Sequence, residues 1–283
     1  MEKELQLEFL IKNAIQEDVG DGDHSTLCCI EKSAKGKAVL KVKENGIIAG
    51  VEVAEQIFKQ LDPSITFLPF LLDGQTISIG DNAFEVHAPI HTILKAERLV
   101  LNCMQRMSGI ATLTKKYIEK LSGYKTQLLD TRKTTPNFRL LEKMAVKIGG
   151  GQNHRYGLYD MIMLKDNHID YCGSIEKAIN LAYEYVQTVK PGMKIEVETR
   201  SIEDVMKVVS TGKIDRIMLD NFNVSDIITA LSIIDGKFET EASGGINFDN
   251  LEDYAATGVD FISSGAIIHH ATGIDLSLKA ITV

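Results

Sequence analysis

The stretch from Lys194 to Asn221, "KIEVETRSIEDVMKVVSTGKIDRIMLDN", contains the pattern that decides the fold. A short apolar run, "KIEVET", is followed by an amphipathic segment with helical spacing and then by a second apolar run, "DRIMLDN". Two parallel strands need a long crossover connection, which is usually a helix. The stretch therefore predicts a strand–helix–strand unit.

The same kind of apolar run occurs six times in the second half of the chain. The runs are "TQLLD" (126–130), "DMIMLK" (160–165), "KIEVET" (194–199), "DRIMLDN" (215–221), "KFETEASGG" (237–245) and "VDFISSG" (259–265). The last four recur every 21 or 22 residues, which is the length of a compact strand–helix unit. This repetition predicts parallel βα repeats, in a barrel or an open sheet. No GxGxxG motif follows the first run, so the barrel is favoured over a dinucleotide-binding sheet.

The first 90 residues have a different pattern. Between Gly36 and Ala88, short alternating segments are separated by Asn-Gly, Gly and Asp-Asn turn signals, as in antiparallel strands. Helical spacing predicts one helix over about Glu4 to Asp18 and another over "VEVAEQIFKQLDP", which stops before Pro63. These features predict a small α+β domain, followed by a long helix over "HTILKAERLVLNCMQRMSGIATLTKKYIEKL".

Composition narrows the class of protein. The chain of 283 residues has a formal net charge of −8, which argues against general nucleic-acid binding because that function usually leaves a basic surface. Its apolar runs are shorter than the roughly 18 residues of a membrane span, and "MEKELQLEFLIKNAIQEDVG" lacks the apolar core of a signal peptide. The four cysteines show no paired spacing, so a cytoplasmic protein is expected, with Cys28 and Cys29 as small buried residues.

Polar residues and glycines stand at the end of each apolar run. They are Asp130-Thr131-Arg132-Lys133, Lys165-Asp166-Asn167-His168, Glu196 with Glu198, Asp220-Asn221, Ser243-Gly244-Gly245 and Ser263-Ser264-Gly265. In a parallel barrel these segments converge on the face where active sites are built. Six such coincidences in succession predict a functional site at that face.

The last two segments are rich in serine and glycine. Loops after the last two strands of a barrel often bind phosphate through backbone N–H groups, so "SGG" and "SSG" together predict a phosphate site, although either one alone also fits a tight turn. Glu198 and Asp220 are candidate ligands for Mg²⁺, which prefers oxygen and bridges substrate phosphates. The alternative role for these two carboxylates is pairing with neighbouring lysines.

Positive charge is concentrated between Thr131 and His168, where seven Lys or Arg residues stand against three acids. Those that follow a strand or the glycine run "GGGQNHR" are Arg132, Lys133, His154, Arg155 and Lys165. Because arginine pairs bidentately with carboxylate or phosphate, this set suits a doubly anionic small molecule beside a phosphate site.

The residues after Pro136 have helical spacing. Lys143 and Lys147 are expected on a solvated helix face, and Arg139 is the weaker candidate for the site because a place on the surface of the same helix also fits it. The glycines at 149–151 are expected either to end this helix or to take part in the site.

Several of these motifs together resemble one known family. "DTRKTTPNFRLLEKMAVKIGGGQNHRYGLYDMIMLKDNHI" is similar to the central signature of quinolinate phosphoribosyltransferase, also called carboxylating nicotinate-nucleotide pyrophosphorylase. "KIEVET", "DRIMLDNF", "EASGGI" and "GVDFISSGAI" resemble the later motifs of that family in the same order, and "AERLVLNCMQRMSGIAT" and "EDVGDGDHST" resemble its N-terminal half. The resemblance covers nearly the whole chain.

The resemblance implies a fold, an assembly and an activity. It implies an N-terminal α/β sandwich over residues 1–113, an incomplete parallel α/β barrel of six or seven strands over residues 114–269, and a tail over 270–283 that packs on the sandwich. It implies a homodimer, or an assembly of dimers, in which the sandwich of one subunit covers the barrel mouth of the other. The implied reaction transfers phosphoribosyl from 5-phosphoribosyl 1-pyrophosphate to quinolinate with loss of CO₂, in de novo NAD biosynthesis.

The resemblance also implies roles for individual residues. The implied catalytic residues are Lys133, Lys165, Glu198 and Asp220, and the last two are also implied to hold ribose hydroxyls and Mg²⁺, directly or through water or the phosphoribosyl donor. The implied substrate-binding residues are Arg106 (reaching the neighbouring subunit's site), Thr131, Arg132, Lys133, His154, Arg155, Lys165, Glu198, Asp220, Ser243, Gly244, Gly245, Ser264 and Gly265.

Two departures and two rival interpretations accompany the resemblance. Asn137-Phe138 stands where the family more often has Gly-Leu, and Thr199-Arg200 is a variation seen in part of the family. One rival is a related phosphoribosyltransferase-like protein of metal-uptake operons, and the other is a non-catalytic descendant that binds a phosphorylated sugar or stabilises a partner. The complete set of strand-end residues argues against both.

Overall fold

The computed structural model describes residues 2–281 of the chain. The helices are α1 (Glu2–Val19), α2 (His24–Cys29), α3 (Val51–Leu61), α4 (Ile90–Lys120), α5 (Arg139–Ile148), α6 (Asp166–Cys172), α7 (Ile175–Thr188), α8 (Ile202–Thr211), α9 (Val224–Ile234), α10 (Leu251–Ala255) and α11 (Ala266–His269). The strands are β1 (Lys35–Val42), β2 (Gly46–Ile47), β3 (Thr66–Pro69), β4 (Thr76–Ile77), β5 (Asn82–Pro89), β6 (Gln127–Leu129), β7 (Ile162–Leu164), β8 (Ile195–Thr199), β9 (Arg216–Asp220), β10 (Glu239–Ser243), β11 (Phe261–Ser263) and β12 (Leu276–Ile281).

The chain folds into two compact units. The first combines Met1–Lys116, Thr134–Gly150 and Ile267–Val283, and the second combines Tyr117–Lys133 and Gly151–Ala266. No helix among the described residues is both long enough and apolar enough to cross a membrane.

The first unit is built on an antiparallel sheet with the strand order β12-β1-β5-β3. Strand β1 pairs with β5 on one side and with the C-terminal strand β12 on the other. Phe84 of β5 packs against Phe58 of α3 and Phe67 of β3, with ring centroids 6.1 and 4.5 Å apart. The predicted α+β character of this part of the chain is therefore confirmed.

Two glycines in the first unit stand at positions that a larger residue would disturb. Gly50 precedes α3 with a φ of 97° and has no side chain to cap the helix, so Asp73 accepts a hydrogen bond from the backbone N–H of Val51 instead, at 2.9 Å. Gly109 lies in the middle of α4, where a Cβ would stand 2.0 Å from the carbonyl oxygen of Thr272. Only glycine allows the C-terminal segment to approach α4 that closely.

Helix α5 corrects one prediction and explains one departure. Lys143 is fully buried and not on a solvated face, whereas Lys147 is exposed as expected. The helix ends at the glycines, with Gly149 as its C-cap and Gly150 at a φ of 95°. Asn137, where the family more often has glycine, adopts a φ of 61°, and asparagine is one of the few other residues that tolerate this conformation.

The second unit is a six-stranded parallel sheet with the order β6-β11-β10-β9-β8-β7. Strand β6 lies at one edge of this sheet, and its Leu129 also forms a single parallel bridge with Gln152. All six predicted runs form strands, and they pair in the order expected for an incomplete barrel. Every residue of β8 is buried, as in parallel strands that are covered on both faces.

The helices that connect these strands begin at side-chain caps. Ser174 caps α7, Ser201 caps α8 and Asn223 caps α9, each accepting a hydrogen bond from a backbone N–H in the first turn. These caps fix where each strand–loop segment ends and each helix begins.

The vicinal cysteines contradict the prediction made for them. Cys28 and Cys29 are both exposed at the end of α2, with their Sγ atoms 3.2 Å apart. They lie on the outer side of a short helix whose buried residue is Thr26, so they contribute no packing to a core.

Candidate active site

The predicted strand-end residues lie in the second unit, with Arg106 as the exception. The six strands run in parallel, so their carboxyl ends share one edge of the sheet. The strand register makes this concrete, because Asp220 at the end of β9 is paired with Ser243 at the end of β10. The predicted phosphate loop and the predicted metal-binding carboxylate are therefore neighbours.

A lysine–glutamate pair lies at the carboxyl ends of β7 and β8. Nζ of Lys165 is 2.7 Å from Oε2 of Glu198, whose side chain is buried. Burial and the nearby Glu198 carboxylate raise the pKa of Asp220, while Lys165 and Lys133 act in the opposite direction. The four predicted catalytic residues thus lie within electrostatic reach of one another.

The end of β6 organises a second group of residues. Buried Asp130 accepts a hydrogen bond from the backbone N–H of His154 at 2.8 Å and another from the side chain of Asn153 at 2.6 Å. Thr131 accepts a hydrogen bond from the N–H of Lys133 at 3.0 Å, which shapes the turn after the strand. Asp130 therefore joins the basic segment after β6 to the basic segment after the glycine run.

Two arginines come close together in this region. Burial and the positive charge of Arg132 lower the pKa of Arg155, and a guanidinium nitrogen of Arg155 donates to the carbonyl of Met161 at 3.2 Å. Two like charges held near each other in a half-buried place are unfavourable unless an anion lies between them. This arrangement is what a carboxylate-binding site requires.

A buried ionic cluster lies below the strand ends and was not predicted. Nε2 of His154 is 3.0 Å from Oε2 of Glu196 and 3.1 Å from Oε2 of Glu241, and Arg216 donates to that same oxygen of Glu241 at 3.1 Å. Burial and the neighbouring Glu241 raise the pKa of Glu196 to about 7. The signal in the sequence was the alternation of charged residues along β8, β9 and β10, which places them on the inner face.

The protonation of His154 follows from its two ring nitrogens. Burial acts to lower the pKa of His154, but the two glutamates outweigh it and raise the pKa to about 9. Nδ1 accepts a hydrogen bond from the backbone N–H of Arg155 at 2.6 Å, and a nitrogen that accepts cannot also carry a proton. The contact at Nδ1 therefore opposes the second proton that the two glutamates favour, and Nε2 is the nitrogen that lies close to both carboxylates.

Two groups of acids are candidates for a cation. His154, Glu196 and Glu241 bring ligand atoms within 4.8 Å of one another, but the Nε2 proton makes the histidine a donor and Arg216 balances the charge. Glu198 and Asp220 present oxygen ligands at the strand ends, and burial together with the charge of Glu198 raises the pKa of Asp220. Two carboxylates are the number with which proteins usually hold Mg²⁺ beside substrate phosphates. The second pair therefore fits the ion better.

The two serine–glycine loops differ in backbone conformation and in the hydrogen bonds that they make within the protein. Gly244 and Gly245 have φ values of 93° and 63°, and a Cβ on Gly244 would stand 2.2 Å from Oδ1 of Asn221. Ser264 is buried, with its backbone N–H bonded to Leu129 and its hydroxyl to Ile246. Ser264 therefore serves the fold with both its donors, whereas the loop after β10 is shaped by two left-handed glycines that lie close to Asn221. Ser243 and Gly265 flank these positions and are half-buried.

Arg106 lies in the first unit and is bound within its own chain. Its guanidinium donates to Oε1 of Glu142 twice, at 3.0 and 2.8 Å, and to the carbonyls of Ala271 and Ile268 at 2.8 and 2.9 Å. Glu142 is fully buried and also accepts hydrogen bonds from Thr135. These contacts do not support the prediction that Arg106 reaches a neighbouring subunit.

A parallel α/β barrel with paired basic residues, two carboxylates and a glycine loop at the strand ends defines an enzyme of phosphorylated anionic substrates. Two family matches narrow this class. The N-terminal domain of quinolinate phosphoribosyl transferase matches residues 23–108, and the C-terminal domain matches residues 110–279. The chain belongs to the quinolinate phosphoribosyltransferase family.

Individual relatives agree with this assignment. Quinolinate phosphoribosyltransferase [decarboxylating] 1 of Nicotiana glauca is 42% identical over 96% of this chain and 82% of its own. The probable nicotinate-nucleotide pyrophosphorylase [carboxylating] of Synechocystis sp. is 40% identical over 94% of this chain and 90% of its own. The crystal structure of NadC from Streptococcus pyogenes superposes with a TM-score of 0.91 at 37% identity, covering 98% of both chains.

Proposed function

We propose that the protein transfers phosphoribosyl from 5-phosphoribosyl 1-pyrophosphate to the nitrogen of quinolinate and releases the 2-carboxylate as CO₂, giving nicotinate mononucleotide and pyrophosphate. The observation that carries the proposal is the convergence of Lys133, Lys165, Glu198 and Asp220 at one sheet edge of a chain of this family. The reaction belongs to de novo NAD biosynthesis.

The basic residues suit the acceptor substrate. Quinolinate carries two adjacent carboxylates, and Arg132 and Arg155 provide two neighbouring guanidinium groups, with His154 beside them. Arginine binds carboxylate with two parallel hydrogen bonds, which fixes the plane of the ring as well as its position. This positioning presents the ring nitrogen to the sugar carbon and brings the two reactants into one geometry.

The chemistry needs charge stabilisation more than a base. The ring nitrogen has no proton to lose, and once it is bonded to the sugar it is positive and can accept the electron pair left by departing CO₂. One proton must then reach the carbon that lost the carboxylate. Lys133 and Lys165, whose charges both act on Asp220, would stabilise negative charge on the leaving pyrophosphate and on the substrate carboxylates.

Magnesium belongs to the proposal as a substrate-bound cation. When bound, Mg²⁺ neutralises charge that develops on the leaving pyrophosphate. Glu198 and Asp220 would hold it, directly or through the ribose hydroxyls of the donor, because theirs are the oxygen donors at the strand ends. The loop of Ser243, Gly244 and Gly245 would bind the 5′-phosphate through its backbone.

The proposal includes a homodimer with shared sites, but with a different arginine in the shared role. Arg106 makes four hydrogen bonds within its own subunit, and reaching out would break all of them. Arg98 lies about two turns earlier on α4, is exposed, and has no hydrogen bond or ion pair to another described residue. We therefore assign to Arg98 the contact with a neighbouring subunit's substrate.

The proposal places the enzyme in the cytoplasm. All four cysteines are free thiols, and two of them are exposed, which suits a reducing compartment.

The test is a substrate comparison with the purified protein, phosphoribosyl pyrophosphate and Mg²⁺. The proposal predicts nicotinate mononucleotide from quinolinate and none from nicotinate, which lacks the 2-carboxylate. Turnover of nicotinate without turnover of quinolinate would refute it. No turnover of either substrate, with a phosphorylated sugar still bound, would favour the non-catalytic alternative.

A further inference from the structure

The ionic cluster inside the barrel is buried at a considerable cost in free energy. His154, Glu196, Arg216 and Glu241 are all buried, and they come from three different strands and one loop. Burying charges in this way costs several kcal/mol per ion by general estimates, and apolar residues of similar volume are often as stable or more stable. The cluster therefore calls for an explanation other than stability.

Arg216 is held from three sides. Its Nε and one terminal nitrogen donate to Oε2 of Glu239 at 3.2 and 3.0 Å, and its other terminal nitrogen donates to Oε2 of Glu241 at 3.1 Å. The ring of Phe261 lies 4.1 Å from the guanidinium carbon. With its plane fixed in this way, Arg216 holds the carboxylate of Glu241 in one orientation.

Glu241 passes this orientation to His154. Its Oε2 lies between Arg216 and Nε2 of His154, and Glu196 approaches the same ring nitrogen from β8. Two buried carboxylates at 3.0 and 3.1 Å from Nε2 hold that edge of the imidazole by charge.

His154 in turn fixes the backbone at Arg155. Nδ1 of His154 accepts the N–H of Arg155, and the N–H of His154 donates to Asp130. The two peptide groups that flank the Cα of His154 are thus bonded to buried groups, and the second of them precedes the Cα of Arg155. A chain of contacts runs from Arg216 through Glu241 and His154 to Arg155.

We propose that Glu241 and Arg216 are positioning residues for the acceptor substrate, because they hold His154, and through it Arg155, where the pair meets the quinolinate carboxylates. This proposal rests on the proposed function. It extends the site by two residues that act through others, and it assigns them to the acceptor substrate because their chain of contacts ends at Arg155.

The variant that tests it is Glu241→Gln, with Glu239→Gln as the matched control. The glutamine carbonyl oxygen can take the place of Oε2, so this variant keeps the shape of the side chain and removes the negative charge that lies between Arg216 and His154. Glu239 lies on the same strand and binds the same Arg216, but it makes no contact with His154 and is partly exposed. The two variants therefore remove the same charge from the same arginine and differ in the histidine contact.

The measurement is steady-state kinetics of the full-length protein with each substrate varied in turn. For Glu241→Gln we expect the KM for quinolinate to rise about tenfold, the change that corresponds to about 1.4 kcal/mol, with the KM for phosphoribosyl pyrophosphate unchanged. For Glu239→Gln we expect both KM values to stay near those of the wild type, because the glutamine carbonyl oxygen still accepts both hydrogen bonds that Arg216 donates to Oε2 of Glu239. A loss shared equally by both substrates, or an effect of Glu239→Gln as large as that of Glu241→Gln, would overturn the proposal.

A second variant covers the case in which Glu241→Gln does not fold. Arg216→Lys keeps the buried charge but cannot bind both glutamates in a fixed plane. It should raise the KM for quinolinate selectively in the same way, and unselective loss would again overturn the proposal. A wild-type enzyme that does not use quinolinate at all would refute the proposed function, and that outcome is separate from these two.

Discussion

Arg106 donates two hydrogen bonds to a single carboxylate oxygen, Oε1 of Glu142, at 3.0 and 2.8 Å. The glutamate is fully buried, and the remaining bonds of the guanidinium go to the carbonyls of Ala271 and Ile268. The pair thus ties α4, α5 and the segment before β12 together within the first unit. An arginine committed in this way is part of the fold.

Removing Arg106 should destabilise the protein strongly. The Arg106→Ala change leaves the buried carboxylate of Glu142 without its cation, which by general estimates costs roughly 3–5 kcal/mol. The matched control is Arg98→Ala on the same helix, where an exposed side chain is lost and the free energy of unfolding should change by no more than about 0.5 kcal/mol. Urea denaturation of both variants checks this, and equal stabilities would show that Arg106 is not structural.

Arg98 should be essential for activity, although it is not needed for folding. If it serves the neighbouring subunit's site, then Arg98→Ala and Lys165→Ala are each inactive alone but regain activity after subunit exchange, because one site of each mixed dimer is complete. Random exchange in equal amounts allows up to about a quarter of wild-type activity.

A pair of variants from the same unit provides the control for that exchange. Lys165→Ala and Glu198→Ala should not complement each other. Both residues belong to the same barrel mouth, so each site of a mixed dimer still lacks one of them. If the mixture of Arg98→Ala and Lys165→Ala stays inactive after mass spectrometry has confirmed subunit exchange, Arg98 does not serve the neighbouring subunit's site.

The phosphate loop should distinguish between two adjacent glycines. In Gly244→Ala the new Cβ would stand 2.2 Å from Oδ1 and 2.8 Å from the backbone N of Asn221, so the loop must shift. We expect about a tenfold or larger loss of kcat/KM for phosphoribosyl pyrophosphate, because small displacements of a binding group are costly. In Gly245→Ala no atom lies within 4 Å of the new Cβ, and only the φ of 63° is strained.

Gly245→Ala is the control for Gly244→Ala, and its stability and its activity should change differently. Gly245→Ala should lose about 1–2 kcal/mol of stability through its left-handed backbone and keep kcat/KM near that of the wild type. If both variants lose the same activity, steric displacement of the loop is not the cause.

Asp220 should govern the requirement for magnesium. Asp220→Asn keeps the size of the side chain and removes its charge, so the Mg²⁺ concentration for half-maximal rate should rise by about tenfold or more. The KM for quinolinate should stay the same, because that substrate depends on Arg132 and Arg155. Asp249→Asn, an exposed aspartate, serves as the control, and an unchanged magnesium requirement in Asp220→Asn would contradict the assignment.

Local sequence patterns were sufficient for the strands and for most of the strand-end residues. Short apolar runs with a fixed repeat can form parallel strands in few other ways, and the residues after them must then share an edge. The shared edge of Asp220 and Ser243 follows from this rule, whereas their direct pairing is set by the register of β9 and β10.

The remaining features depended on information that one stretch of sequence does not contain. The cluster of His154, Glu241 and Arg216 joins residues of different strands, and only the register brings them together. The burial of Lys143 and the exposure of Cys28 and Cys29 depend on which face of a helix is covered.

The most direct test of the account follows the carboxylate that the reaction removes. Quinolinate labelled at its 2-carboxylate is incubated with the wild-type protein, phosphoribosyl pyrophosphate and Mg²⁺, and labelled CO₂ and nicotinate mononucleotide are counted. The account predicts equal amounts of both, and no CO₂ when phosphoribosyl pyrophosphate is left out. Nucleotide that retains the label, or no release of labelled CO₂ from the complete mixture, would contradict it.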